Sequence, residues 1–193
     1  ARHPDAVRYL RQDHAGEAYA GCARARNAGL AAASGEFIQL LDSDDLLMAD
    51  KFATPVAALR ADPACGISYC YAREYPFAEP WPGRPARRTG ESFTVLYPDL
   101  VLGRIWPSPS PLYRREVVDA IGPFRELVNS DGEFECRAGV LGVRLHHCRV
   151  YLADVRNTHG LEGRRRPSGP RATVGVNAIT HELMLEHARR AAA

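Results

Sequence analysis

Lysine is almost absent from this sequence: of its 25 basic residues only Lys51 is lysine, and the rest are arginine. Arginine suits phosphate recognition, but a bias that covers the whole chain marks no single site. No apolar run approaches the roughly 18 residues that span a bilayer, so no transmembrane segment is expected. No basic start followed by an apolar core is present, so no secretory signal is read. A dominant charge sign is lacking too. Lys+Arg is 25 against Asp+Glu 23, a formal net charge of +2 that gives no reason to expect a nucleic-acid partner. The five cysteines follow no repeated spacing. Cys65 and Cys70 are too loosely spaced for a zinc knuckle. His146, His147 and Cys148 are consecutive in a strand-like stretch, where neighbours point to opposite faces. Reduced, buried thiols of a cytoplasmic protein are therefore expected, with peripheral attachment to a membrane left open.

What is present reads as one domain with a core: 193 residues, 46% of them hydrophobic. Val7 and Tyr9 alternate with charged neighbours in a short strand over residues 6–12. The alanine-rich stretch 19–34 reads as a helix, with Gly35 at its end. Residues 36–41 (EFIQLL) form a brief apolar run of strand length that stops at Asp42-Ser43-Asp44-Asp45. Thr54-Pro55 reads as a cap and first helical residue, and residues 66–71 (GISYCY) as a strand. Pro76 to Ser92, rich in proline and arginine, and Trp106 to Pro111 read as irregular stretches of the kind that carry specificity. Helices are expected over about 114–120, closed by Gly122, and about 131–141, closed by Gly142. A strand is expected over 143–151 and an amphipathic helix over 180–193. Strands alternating with helices give an α/β class with a mainly parallel sheet. In such sheets ligands sit beyond the carboxyl ends of the strands, where the acidic cluster falls.

Clustered carboxylates at a strand end repel one another unless something positive lies between them. One reading is a solvated turn, with Asp45 capping a helix from Leu46 onward. Another is a divalent cation, Mg²⁺ or Mn²⁺, held by one or two carboxylates and completed by phosphate oxygens. An aspartyl-phosphate phosphatase would also begin on an apolar strand ending in D-x-D. It needs a hydroxyl or small residue soon after and a lysine well downstream, whereas Lys51 comes too soon.

Residues 25–30 (ARNAGL), Ala32, residues 35–38 (GEFI) and 41–45 (LDSDD) resemble glycosyltransferase family 2, whose members have the GT-A fold. Ile121-Gly122-Pro123-Phe124 resembles the family's GGF turn. Asn129-Ser130-Asp131 precedes a helix carrying Arg137, and Arg156-Asn157-Thr158-His159 resembles a late R-x-x-H element. The likeness runs over about residues 6–160. Ala49 stands where the family usually has a proline, and His14 where the family's Gln-x-Asn-x-Gly stretch has asparagine.

The resemblance implies an inverting, metal-dependent transfer of a sugar from a nucleotide-diphospho-sugar donor to a glycan, lipid or protein hydroxyl. Asp44 is implied as the metal ligand, with Asp42 on ribose or metal-bound water. Asp45 is either a supporting residue of that site or a helix cap. His159 is implied near the metal or the diphosphate, with a purely structural histidine as the alternative. Asp131 is implied as the general base, against the alternative of a helix N-cap. Ser130 replaces the glutamate that precedes it in the family, and Glu133 is the fallback base. Arg26 and Asn27 are read as holding a helix and a loop. The family's first strands, which bind the nucleotide base and ribose, do not precede Ala1. The resemblance thus implies a partial GT-A domain over 1–165, lacking about two strand–helix units, with a tail and helix over 166–193. An edge left open in this way invites self-association. A non-catalytic binding module on the same scaffold stays open as the alternative.

Overall fold

The structure, a computed structural model, describes residues 7–11, 18–75, 84–127 and 129–156, together with Leu185 and Arg189. Its elements are α1 (Ala18–Ala32), β1 (Phe37–Gln39), β2 (Leu46–Leu47), α2 (Ala53–Ala61), β3 (Cys65–Tyr75), β4 (Leu112–Arg114), α3 (Arg115–Ile121), α4 (Ser130–Val140) and β5 (Arg144–Arg156). The α/β class expected from the sequence is borne out. The five described strands form one sheet in the order β1-β4-β3-β5-β2.

That sheet is mixed, which corrects the expectation of mainly parallel pairing in detail. The β3–β5 ladder is parallel and the longest, whereas β1–β4, β3–β4 and β2–β5 are antiparallel. The reason lies in the connections. A parallel neighbour needs a long crossover, such as the stretch holding β4, α3 and α4 that separates β3 from β5. Between β3 and β4 the described chain holds only a 3-10 turn (Asp99–Leu102), so β4 returns beside β3 in the opposite sense. The C-terminal end of β1 and the start of β4 therefore meet, with Gln39 opposite Leu112.

β3 is the spine. Residues 65–70 are buried on both faces. Cys65 packs with Leu59 of α2 and Leu112. Its neighbour Gly66 lies so close to α3 that an added Cβ would stand 2.6 Å from Val117. Successive strand residues face opposite sides, so α2 and α3 cover the two faces. The main core gathers Ile67, Tyr69, Trp106, Val118, Ile121, Phe124 and Phe134 around that spine.

Local sequence signals hold where they concern backbone. Gly122 (φ +79) ends α3 and Gly142 (φ +64) comes just after α4, both in the left-handed region that favours glycine. The Thr54-Pro55 start is corrected: α2 begins at Ala53 after Phe52, because Thr54 and Val56 already donate backwards to Asp50 and Phe52. Proline lacks an N–H, and it sits in the first turn, where that loss is harmless. Residues 7–11 form no strand, and Val7 and Tyr9 are exposed. Alternation makes a strand only when a neighbour completes its hydrogen bonds, and none does so among the described residues. The final helix lies outside the described residues except for Leu185 and Arg189, which are helical.

The sole lysine is fully buried. Lys51 Nζ donates to the Ser110 carbonyl (2.6 Å) and approaches Cys70 Sγ (3.6 Å). Burial pushes its ammonium below the ordinary lysine range. The slender lysine stem pins the segment before β4 to β3, inside the core.

This packing has two measurable consequences for stability. In Gly139→Ala the new Cβ would meet the Tyr97 ring at 2.7 Å. Overpacking of about 1–3 kcal/mol should then outweigh the roughly 1 kcal/mol gain in helix propensity, lowering the urea midpoint. His147 stacks on Tyr69 with ring centroids 4.4 Å apart, and burial pushes its imidazole down to about 4. Its neutral form therefore favours the fold, so its contribution is complete above about pH 6.5 and is lost as pH falls towards 4. Discounted for partial solvent access, the difference between wild type and His147→Gln should shrink by about 1–2 kcal/mol over that range, read by urea melts at each pH.

Candidate active site

The acidic turn leaves the carboxyl end of β1 as the sequence suggests. Asp45 N–H donates to the Asp42 carbonyl (3.1 Å), closing the turn. The three carboxylates then part company. Asp45 is buried, and its Oδ1 accepts the Arg156 backbone N–H (3.1 Å), tying the turn to the end of β5. Burial lifts the Asp45 carboxyl to about 6 against the pull of that amide, with the charges of Asp42 and Asp44 pushing the same way as burial. It caps no helix, since the residues after it form β2. Asp44 is half-buried in the same turn. Asp42 Oδ1 accepts from Arg26 Nη2 at 2.8 Å.

Arg26 is the centre of the site. It projects from α1, and its second nitrogen, Nη1, donates to Asp131 Oδ1 on the first turn of α4. One guanidinium thus joins the acid after β1 to the acid on α4. Burial alone would push Arg26 down, but the carboxylates of Asp131 and Asp42 hold it above its ordinary value. Its carbon sits 5.3 Å over the Phe124 ring, which stacks on Phe134 at 4.2 Å. Next to it, Asn27 brackets the turn after α3: Nδ2 donates to the Phe124 carbonyl (2.9 Å) and Oδ1 accepts the Phe124 N–H (2.7 Å).

Asp131 does not cap α4. The cap position is Asn129, without a side-chain cap bond, and the Asp131 carboxylate turns to arginines instead. Its Oδ2 accepts from Arg104 Nη1 at 3.5 Å. Arg104 is itself held by Glu135, with Nε 3.0 Å from both carboxylate oxygens. Burial pushes the Glu135 carboxyl up and Arg104 opposes it. Burial pushes Arg104 down, and Glu135 and Asp131 more than restore it. Glu133, the fallback base, is buried elsewhere. It pairs with Arg137 (2.8 Å) and Arg125 (3.3 Å) beside the turn after α3.

The structure therefore brings Asp42 and Asp131 together, keeps Asp44 in the same turn, and assigns Asp45 to the anchoring of that turn. His159 lies outside the described residues. Sequence reasoning missed the roles of Arg26, Arg104 and Glu135. Arg104 and Glu135 carry no local signal, because nothing in their context sets them apart from the chain's other arginines and glutamates. For Arg26 a hint existed in its place beside Asn27. The irregular stretch from Trp106 to Pro111, expected to carry specificity, is mostly buried; only Ser108 is partly open, 3.4 Å from Arg26.

Among the described residues no group of three or more His, Cys, Asp or Glu side chains converges as a complete metal cage. The donor set at the turn is two carboxylates, Asp42 and Asp44. That number fits Mg²⁺ or Mn²⁺, which take one or two carboxylates and complete their shell with phosphate oxygens and water.

Comparison with solved structures gives the same architecture. Staphylococcus aureus TarS, residues 1–349, superposes with a TM-score of 0.53 at 19% identity, covering 72% of this chain and 41% of TarS. Its complex with UDP-GlcNAc gives 0.54 at 19% identity, covering 86% and 51%, and its complex with UDP 0.52 at 17%, covering 86% and 50%. The chain thus spans about half or less of these TarS structures. At this identity the likeness establishes the fold, that of a GT-A glycosyltransferase. No curated protein matches by sequence. The sequence model of glycosyl transferase family 2 matches residues 4–157, across α1, the acidic turn, the sheet and α4, and the chain belongs to that family.

Proposed function

We propose that this chain carries the catalytic centre of an inverting, metal-dependent glycosyltransferase that moves a sugar from a nucleoside diphosphate donor to an acceptor hydroxyl. The observation that carries the reading is the single guanidinium of Arg26 shared by Asp42 and Asp131. It ties the acid after β1, read here as donor-side, to the acid on α4, read here as acceptor-side. TarS binds UDP-GlcNAc and UDP, and the same donor class is proposed here.

Asp42 and Asp44 would hold Mg²⁺ or Mn²⁺ at the end of β1. When bound, the ion neutralises the charge that develops on the departing diphosphate. Asp131 accepts the proton of the acceptor hydroxyl as its oxygen attacks the anomeric carbon. A single displacement from the face opposite the leaving group inverts the anomeric configuration. Arg26 holds the two acids at a fixed separation, so attack and departure are aligned before the acceptor arrives. Asp45, bonded to the Arg156 amide, keeps the turn from drifting.

The phosphatase alternative loses its lysine, because Lys51 is spent on the Ser110 carbonyl within the core. Among the described residues no helix is long and apolar enough to cross a membrane.

Two measurements on the full-length protein test the reading. Asp131→Asn should lower kcat by about 100-fold or more while UDP binding stays within about threefold of wild type; unchanged turnover removes the base. Asp44→Asn, or chelation of divalent ions, should abolish Mn²⁺-dependent UDP binding measured by calorimetry. Equal binding with and without Mn²⁺ removes the metal.

A further inference from the structure

We infer that Arg104, seated on the buried Glu135, is the positioning residue for Asp131; this rests on Asp131 acting as the base. Asp131 and Glu135 are four residues apart on α4, so their side chains lie one above the other on the same face. Arg104 comes from the segment before β4, outside the helix, and reaches both carboxylates. Its grip on the two is unequal. With Glu135 it forms a close, two-pronged pair: Nε is 3.0 Å from both oxygens and Nη2 is 2.5 Å from Oε1. With Asp131 it makes one long contact of 3.5 Å.

This inequality has a use. Glu135 is 3% exposed in its side chain, and Arg104 18%. A buried carboxylate locked on two nitrogens fixes the plane of the guanidinium. The remaining nitrogen, Nη1, then points at Asp131 without consuming that oxygen as a tight pair would. The Asp131 side chain is the most open of the three at 24%. Arg26 takes the other oxygen, Oδ1. Asp131 is thereby held from two sides by arginines that are themselves held. Arg26 is fixed by Asp42, and so answers to the donor side. Arg104 is fixed by Glu135 and answers only to the fold. Arg104 is therefore the contact on Asp131 that does not depend on the acidic turn after β1.

The test uses the full-length protein and the variants Arg104→Lys, Arg104→Gln and Glu135→Gln, alone and with Asp131→Asn. Arg104→Lys keeps the charge on Glu135 but loses the two-pronged geometry. It should lower kcat by about 10-fold or more, with donor KM within about twofold and UDP binding unchanged. Glu135→Gln should reproduce that split between kcat and KM without touching Asp131. In the Asp131→Asn background the Arg104→Lys change should cost less than about twofold, because the two residues act as one unit. Thermal melts report folding, and Arg104→Lys carries the test should Arg104→Gln not fold. Wild-type kcat in Arg104→Lys overturns the inference. So does an equal loss with and without Asp131. If Asp131→Asn itself turns over normally, the base assignment falls and this inference with it. An inactive Asp131→Asn beside a fully active Arg104→Lys sinks the inference alone.

Discussion

The site depends on one positive charge shared by two negative ones. Asp42 lies 16 residues from Arg26 and Asp131 lies 105 residues away, on separate elements, yet both accept from its guanidinium. Without that charge the two carboxylates would repel, and α1, the turn after β1 and α4 would lose their common reference point. The partly buried setting strengthens the attraction, and Phe124 beneath the guanidinium excludes water from one face. Asn27, the next residue, fastens the turn after α3 through two hydrogen bonds. A short stretch of α1 therefore sets the distance between Asp42 and Asp131.

Beneath that charge network lies a scaffold that cannot easily shift. The long parallel β3–β5 ladder runs under the site, and Asp45 joins its far end to the acidic turn. Lys51 and Ser110 pin the chain entering β4 to the same spine. Trp106, packed at 5.2 Å on Tyr69, closes the segment between Arg104 and Ser110. The arginine that reaches Asp131 is thus carried on a stretch whose next residues are core. This explains how an irregular segment places a side chain as reproducibly as a helix would.

Much of the architecture was legible from local pattern. The strand read at 66–71, the glycines after α3 and α4 and the abrupt stop at Asp42 act through neighbours a few residues away, and each landed close to its place. The errors came where the decision was not local. Residues 7–11 alternate as a strand should, but no described strand completes their hydrogen bonds. The sheet reads as mainly parallel because helices alternate with strands, yet the chain between β3 and β4 supplies no helical crossover among the described residues. The Trp106–Pro111 stretch reads as an irregular, specificity-bearing segment, but Trp106 and its prolines are drawn into the interior.

Residue order alone is enough for the family, the α/β class, the carboxylates at the end of β1 and the acid on the first turn of α4. These depend on residue identity and short-range order, which survive without any knowledge of what packs against them. Which partner each acid takes was left to the folded chain. Asp45 went to the Arg156 amide, Glu133 to Arg137 and Arg125, and Asp131 to Arg26 and Arg104. In a chain with so many arginines every carboxylate has many candidate partners. Coulomb attraction falls with distance and rises with burial, so only the folded arrangement selects among them.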